Sequence, residues 1–150
     1  MRELIQHRNN FDKLFEICEG YKTSKIKKML DSLQRQVYLA EQFSGSDYIC
    51  PLTGDRFRSH DSVDVCHYID RGNMSTRWDD ENCVLCSRFS NRVDSNVPST
   101  TSRSKHHEDF ERYLGEDTVE RLKIDSKNVV NLCRTDYVVI LQSYLKRLHG

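Results

Sequence analysis

The groups best suited to chemistry lie between residues 63 and 96 of the 150-residue chain. His67 belongs to a β-like stretch, a turn containing Gly72 follows it, and Asn82 comes fifteen residues after the histidine. We expect a short helix to begin after Asn82. The polar or thiol side chains on that predicted helix are Cys86, Ser87, Ser90 and Asn91.

This order of groups predicts a β-hairpin packed on a helix, with a metal ion between His67 and a polar group of the helix. A histidine in that position can deprotonate water, and the metal can stabilise the departing 3′-oxygen of a phosphodiester. Asn82 would bind the backbone and hold the loop that presents His67. The alternative is that His67 is a structural histidine whose hydrogen bonds are satisfied within the fold.

The six cysteines are expected to be reduced thiols or metal ligands, because no export signal precedes the polar start of the chain. Cys18 and Cys133 lie in apolar helical patterns and are predicted to be small core residues. The other four fall within 37 residues and are Cys50, Cys66, Cys83 and Cys86.

Three segments, HYIDRG, RWDDEN and CVLCSRF, together resemble the HNH (ββα-metal) nucleases, and specifically the phage NinG (Rap)-type recombination proteins. The similarity covers about residues 40–150, and the specific motif is confined to residues 50–96. The matching positions are His67, Tyr68, Arg71, Gly72, Arg77, Trp78, Asp79, Asn82, Cys83 and Cys86.

The resemblance implies an α+β fold in which a small ββα unit is flanked by N-terminal and C-terminal helices. It implies a metal-dependent endonuclease that cleaves branched DNA such as Holliday junctions or D-loops, using Mg²⁺ or Mn²⁺. His67 would be the general base and Asn82 the loop organiser. The alternative is a catalytically degenerate HNH-fold module that binds DNA or a protein partner without cleavage.

Members of this group often bind a structural zinc through two Cys-x-x-Cys knuckles. The second knuckle is intact as Cys83 to Cys86, but the first begins at Cys50 and has Thr53 in place of its second thiolate. Cys66 or His60 could complete a zinc site, although strand alternation turns Cys66 away from His67. The alternative is that Cys83 and Cys86, one helical turn apart, form a buried helix face without zinc.

The ligands of the catalytic metal also depart from the family pattern. Cys66 occupies the position where an acid or histidine commonly precedes the general base, and the last helix ligand falls on Ser87, Ser90 or Asn91. Asn91 is the strongest candidate because Mg²⁺ favours oxygen ligands. Asp64 and Asp70 could supply a carboxylate, though alternation puts Asp64 on the opposite face from His67.

Residues 47–96 contain six arginines, nine acidic residues and no lysine. Such a segment favours directed guanidinium contacts with phosphates or carboxylates. The residues placed to contact DNA phosphates are Arg71, Arg77, Arg88 and Arg92. The alternative is that these arginines pair with the acids of the same segment.

The chain is predicted to be one domain with three regions. Residues 1–46 form a helical arm, residues 47–96 form the HNH-like core, and residues 97–150 are helical with a break at Gly115.

A net charge of zero argues against tight non-specific coating of DNA. The apolar runs are too short to span a membrane, so we expect a cytoplasmic protein, in the host cytoplasm if it is a phage protein. A junction-cleaving enzyme would plausibly be a homodimer.

Overall fold

A computed structural model describes residues 1–43, 45–88, 102–128 and 130–150. Within these ranges the chain has six α-helices and two small antiparallel sheets, which confirms the predicted α+β class. The helices are α1 (Arg2–Gln6), α2 (Phe11–Glu19), α3 (Thr23–Gln42), α4 (Ser102–Leu114), α5 (Glu116–Lys127) and α6 (Arg134–His149). The strands are β1 (Tyr48–Ile49), β2 (Arg56–Phe57), β3 (Val63–His67) and β4 (Cys83–Ser87).

The chain divides into two compact units, and this division differs from the three consecutive regions predicted. The first unit joins residues 1–41 to residues 130–150, and the second comprises residues 42–129. The predicted C-terminal helical region is therefore shared between them, with α4 and α5 in the second unit and α6 in the first. Sequence order suggested consecutive regions, whereas the contacts of α6 are with α1 and α2.

The first unit buries the apolar faces of its helices against one another. Helix α6 packs on α1 and α2, and its Arg134 donates hydrogen bonds to the carbonyls of Cys18 and Tyr21 at the end of α2. The fully buried side chains of this unit include Leu4, Leu14, Ile26, Leu30, Val138, Leu141 and Leu145. Burial of this apolar surface is the main source of the unit's stability.

The two isolated cysteines have different environments. Cys18 is fully buried on α2, as predicted. The same prediction is wrong for Cys133, which is exposed and is the N-cap residue of α6. Its backbone N–H donates to the Asp136 carboxylate at 2.7 Å, and this bond lowers the pKa of Asp136. The apolar pattern that suggested a core position begins only after the helix has started.

The second unit contains both sheets. Strands β1 and β2 pair through Tyr48↔Phe57 and Ile49↔Arg56. Strands β3 and β4 pair from Val63↔Ser87 to His67↔Cys83, so that β3 ends where β4 begins. Helices α4 and α5 pack against each other and are separated by Gly115, whose φ of 83° ends α4 at the predicted break.

The helix predicted after Asn82 is wrong over residues 83–87. Asn82 ends a single 3₁₀ turn, Asp80–Asn82, and the next five residues form β4. Four of those five side chains are buried, which is the pattern of a strand covered on both faces. A short continuous apolar run has no periodicity that separates such a strand from a buried helix. The alternative of a helix face carrying Cys83 and Cys86 is wrong for the same reason.

The β3–β4 register determines which side chains share a face of the hairpin. Residues directly opposite each other point to the same side, and neighbours along a strand alternate. One face therefore carries His67 together with Cys83 and Ser87, and the other carries Asp64, Cys66 and Cys86. The prediction that Asp64 and Cys66 face away from His67 is confirmed.

None of the helices within the described ranges is both long and apolar enough to cross a membrane.

Candidate active site

His67 and Cys83 face each other at the end of the β3–β4 hairpin. The next pair along the ladder is hydrogen-bonded, because the Tyr68 N–H donates to the Asn82 carbonyl at 2.9 Å. His67 and Cys83 therefore occupy a non-hydrogen-bonded position, where opposite side chains come closest. Both contact the backbone carbonyl oxygen of Arg77, His67 through Nε2 at 3.0 Å and Cys83 through Sγ at 3.6 Å.

The Arg77 carbonyl determines which nitrogen of His67 can act as a base. A carbonyl oxygen only accepts hydrogen bonds, so Nε2 of His67 carries the proton in this contact. In the neutral ring the lone pair is then on Nδ1. A histidine whose second nitrogen is held by a fixed acceptor has its tautomer and ring orientation set in advance. In the neutral ring, Nδ1 of His67 is therefore the nitrogen that can accept a proton.

Asn82 holds the loop that follows His67. Its side chain is fully buried, and its Oδ1 accepts the N–H of Ile69 at 2.7 Å. Its Nδ2 donates to the carbonyls of Ile69 at 3.1 Å and Thr76 at 3.0 Å. One amide thus joins both ends of the segment 69–76. These are backbone contacts of the kind expected for Asn82 from the sequence, and a part in catalysis stays a prediction.

The turn between those ends is closed by short polar contacts. Oδ1 of Asp70 accepts the N–H of Gly72 at 2.7 Å, and a Cβ at Gly72 would lie 3.0 Å from that oxygen. A guanidinium nitrogen of Arg77 donates to the Arg71 carbonyl at 3.3 Å. Asp70 and Arg71 are exposed at this turn. The turn therefore presents a carboxylate and a guanidinium group to solvent next to the strand that carries His67.

Helix α5 anchors the same loop through contacts that no sequence pattern indicated. Nδ2 of Asn73 donates to the Ser126 carbonyl at 2.8 Å, and Oγ of Ser75 donates to the Asn128 carbonyl at 2.7 Å. Carbonyls at a helix C-terminus lack partners within the helix, so these two bonds stabilise the end of α5 as well as the loop. Each bond joins residues 53 positions apart, and no local pattern indicates such a pairing.

Arg121 on α5 forms the second anchor. Its guanidinium binds Asp79 at 2.9 Å, Glu81 at 2.8 Å and Asp125 at 2.8 Å. Asp79 is the N-cap of the 3₁₀ turn Asp80–Asn82 and Glu81 lies within that turn, so this cluster connects α5 to the segment that precedes β4. The hydrogen bonds that the guanidinium donates to the Asp79 and Glu81 carboxylates raise the pKa of Arg121 above its usual value, which keeps the guanidinium charged.

Replacing Arg121 with glutamine is expected to lower the free energy of unfolding of the second unit by about 1 kcal/mol. The effect should shrink at high salt because the group is partly exposed. The measurement is urea unfolding followed by Trp78 fluorescence at low and high NaCl. The matched control is Arg112→Gln, which removes one exposed ion pair with Asp109 within α4. Equal, near-zero effects of the two substitutions would contradict the anchoring role.

Tyr68 connects the hairpin to α4 on the face away from His67. Its hydroxyl donates to Oε1 of Glu111 at 2.7 Å, and its ring stacks on His107 at 4.4 Å between centroids. Burial, and then the hydrogen bond to Glu111, raise the pKa of Tyr68. The same hydrogen bond, together with Lys123 and His107, lowers the pKa of Glu111. The residue after His67 is thus fixed by packing and by a charge-assisted hydrogen bond.

No family model, curated protein or solved structure matches this chain. The resemblance to HNH nucleases therefore stays a resemblance, and the argument for function depends on the geometry of these side chains.

The four arginines predicted to contact DNA have different surroundings. The guanidinium of Arg88 binds Oδ1 of Asp64 through Nε at 3.1 Å and a terminal nitrogen at 3.0 Å. That of Arg77 lies 5.1 Å from the centre of the Trp78 ring, a cation–π distance. Arg71 is exposed at the turn, and Arg92 lies outside the described residues. Arg88 therefore pairs with a local acid, Asp64, which was the alternative to a DNA contact.

Two of the predicted metal ligands do not converge with His67. Asp64 lies on the opposite face and binds Arg88. Ser87 is at the far end of the hairpin, about 13 Å from His67 along the strands, because a strand rises about 3.3 Å per residue. The predicted helix would have placed Cys83 and Ser87 one turn apart on the same helix face. The other two predicted ligands, Ser90 and Asn91, lie outside the described residues.

The cysteines predicted to bind zinc are divided between different positions. The sulfur atoms of Cys66 and Cys86 are adjacent to each other, in the position of a disulfide pair. That these thiols are reduced or bound to metal stays a prediction. Cys50 and Cys83 are buried and belong to no disulfide, and the ring of His60 lies edge-on against Phe43. In the parts of the chain that the structure describes, no three His, Cys, Asp or Glu side chains are grouped to hold a metal ion. Zinc and magnesium binding therefore stay predictions.

Proposed function

We propose that the chain is a metal-dependent endonuclease for branched DNA, such as Holliday junctions or D-loops, with His67 as its general base. The observation that carries the proposal is the contact between Nε2 of His67 and the Arg77 carbonyl, which leaves Nδ1 as the basic nitrogen. The buried amide of Asn82 supports it, because it fixes the loop on which that carbonyl depends. The resemblance of HYIDRG and RWDDEN to the HNH pattern supports the reaction class.

The chemistry assigned to the protein side chains is a single proton transfer. Nδ1 of His67 takes a proton from water as the water oxygen attacks phosphorus, and the bond from phosphorus to the 3′-oxygen breaks. A divalent metal, when bound, would stabilise the departing oxygen. Asn91 is the proposed ligand through its amide oxygen.

The DNA contact we propose most directly is Arg71. It is exposed at the turn that follows His67, where a phosphate close to the imidazole would meet it. Arg77 is partly exposed and its guanidinium is shared with the Arg71 carbonyl and the Trp78 ring. Arg88 would have to exchange Asp64 for a phosphate before it could bind DNA. Few arginine–phosphate contacts favour recognition of a particular DNA structure over non-specific coating of duplex DNA.

The second candidate function is an HNH-like module that binds DNA or a protein partner without cutting. The observation that favours it is the position of Asp64 and Ser87, neither of which can share a metal ion with His67. In this alternative the Asn82 clamp and the α5 anchors serve to present the exposed turn at Asp70 and Arg71.

The deciding experiment is a cleavage assay with the purified full chain on an end-labelled four-way junction and on a duplex of matched sequence. Each substrate is incubated with Mg²⁺, with Mn²⁺ and with EDTA. We expect cuts near the branch point that require metal, and little cleavage of the duplex. Binding of the junction without cleavage in either metal would contradict the enzyme and support the module.

The His67→Ala protein, purified in parallel, is the control for contaminating nucleases. Native gel shifts with the same junction, in EDTA, separate loss of binding from loss of chemistry. A protein that neither binds nor cuts any of these substrates would contradict both DNA-directed functions and leave the protein-binding form of the module.

A further inference from the structure

Cys66 and Cys86 occupy diagonal positions on one face of the β3–β4 hairpin. Cys66 is directly opposite Val84, and Cys86 is directly opposite Asp64. Their Cα atoms are 6.0 Å apart, which is within the range that a disulfide bridges without backbone movement. Both side chains are about 1% exposed. The backbone of the hairpin thus holds this pair of thiols ready for a cross-link.

The cross-link encloses the loop that carries His67 and Asn82. The chain between the two cysteines runs from His67 to Leu85 and includes Arg77, Asn82 and Cys83. The bond itself is on the face of the hairpin opposite His67 and Cys83. It can therefore change the stability of the loop without occupying the site.

We propose that Cys66 and Cys86 are a thiol–disulfide modification site that controls the stability of the second unit and of the loop carrying His67. In the oxidised form a bond joins the two Sγ atoms. In the reduced form the loop is held by the hairpin, the Asn82 clamp and the contacts with α5. This inference concerns folding of the loop and does not rest on the proposed nuclease activity.

The oxidation is a thiol–disulfide exchange with a small disulfide such as glutathione disulfide. One protein thiolate attacks a sulfur of glutathione disulfide, forming a mixed disulfide and releasing one glutathione. The second protein thiolate attacks the protein sulfur of that mixed disulfide and releases the second glutathione. Two electrons pass to glutathione disulfide, and the two protons from the protein thiols end on the two glutathione molecules.

None of the other cysteines is paired with Cys66 or Cys86, and Cys50 is a buried free thiol of the second unit. Cys83 is adjacent to His67 on the opposite face, and Cys18 is buried in the other unit. Cys133 is exposed and would cross-link separate molecules during oxidation. A Cys133→Ser background removes that reaction, and serine is a favourable N-cap for α6.

Peptide mapping tests the pairing directly. The full-length Cys133→Ser protein is refolded with either glutathione disulfide or dithiothreitol, free thiols are alkylated, and the protein is digested with trypsin. Cys66 falls in residues 59–71, and Cys83 and Cys86 fall together in residues 78–88. We expect these two peptides to be linked only in the oxidised sample. The link should be lost in Cys86→Ala and retained in Cys83→Ala.

Thermal unfolding tests the consequence. Trp78 is the only tryptophan and lies inside the enclosed loop, so its fluorescence monitors that region. We expect the oxidised form to unfold about 5–10 °C above the reduced form, since a loop of this length loses substantial entropy when closed. Cys83→Ala should keep this difference and Cys86→Ala should abolish it.

Three results would overturn the proposal. The first is an oxidised sample whose two peptides remain unlinked, and the second is a link that persists in Cys86→Ala. The third is the same unfolding midpoint for the oxidised and reduced Cys133→Ser protein. This last comparison uses no substitution in the hairpin, so it stands even if Cys86→Ala fails to fold.

Discussion

Replacing Asn82 with alanine is expected to lower the free energy of unfolding of the second unit by about 2–4 kcal/mol. The side chain is fully buried and makes three hydrogen bonds to backbone groups of Ile69 and Thr76. Alanine would leave one N–H and two carbonyls without these partners, and a buried polar group without a partner costs about 1–3 kcal/mol. Urea unfolding followed by Trp78 fluorescence measures the change, because Trp78 lies within the loop.

The matched control is Asn73→Ala in the same loop. Asn73 is half-buried; its Nδ2 donates to the Ser126 carbonyl, and its Oδ1 accepts the Ser75 N–H and the Thr76 hydroxyl. Because the side chain is only half-buried, water can replace the bonds to Ser126 and Ser75. We expect a loss of about 1 kcal/mol for this variant. Equal losses for the two variants, or a loss below about 0.5 kcal/mol for Asn82→Ala, would show that Asn82 does not organise the loop.

Replacing His67 with alanine is expected to reduce the rate of junction cleavage by about 10²–10⁴-fold, the usual contribution of a general base. Binding of the junction should change little, because the imidazole is assigned to proton transfer and the phosphate contact to Arg71. Single-turnover cleavage with protein in excess measures the rate of the chemical step. Fluorescence anisotropy with the labelled junction in EDTA measures binding.

A second histidine provides the control for the His67 substitution. His107 stacks on Tyr68 on the other face of the hairpin and has no part in the proposed chemistry. We expect His107→Ala to cleave at close to the wild-type rate. Cleavage by His67→Ala at the wild-type rate would exclude His67 as the base. If His107→Ala lost as much activity as His67→Ala, the effect would be structural.

The local elements that the sequence predicted well have strong local signals. The β-like stretch at residues 63–69 contains β3, and the break at Gly115 is the glycine of positive φ between α4 and α5. Residues 83–87 lack such a signal. Their buried apolar run was interpreted as a helix, and that interpretation placed Ser87 near His67 when it lies at the other end of the hairpin.

The sequence by itself determined the chemical groups at the candidate site and their order along the chain. A strand histidine, a glycine turn and an asparagine follow one another, and strand alternation alone turns Asp64 and Cys66 away from His67. These features depend on covalent order and on the two-residue period of a strand, both of which can be read from neighbouring residues.

Only the tertiary structure decided the partners of those groups. The Arg77 carbonyl binds His67 from ten residues away, and Asp64 binds Arg88 across 24 positions. The α5 carbonyls bind the loop across 53 positions. Such contacts are fixed by how segments distant in sequence pack against one another. A backbone carbonyl is present in every residue, so nothing in the type of an amino acid indicates which carbonyl will accept a given hydrogen bond.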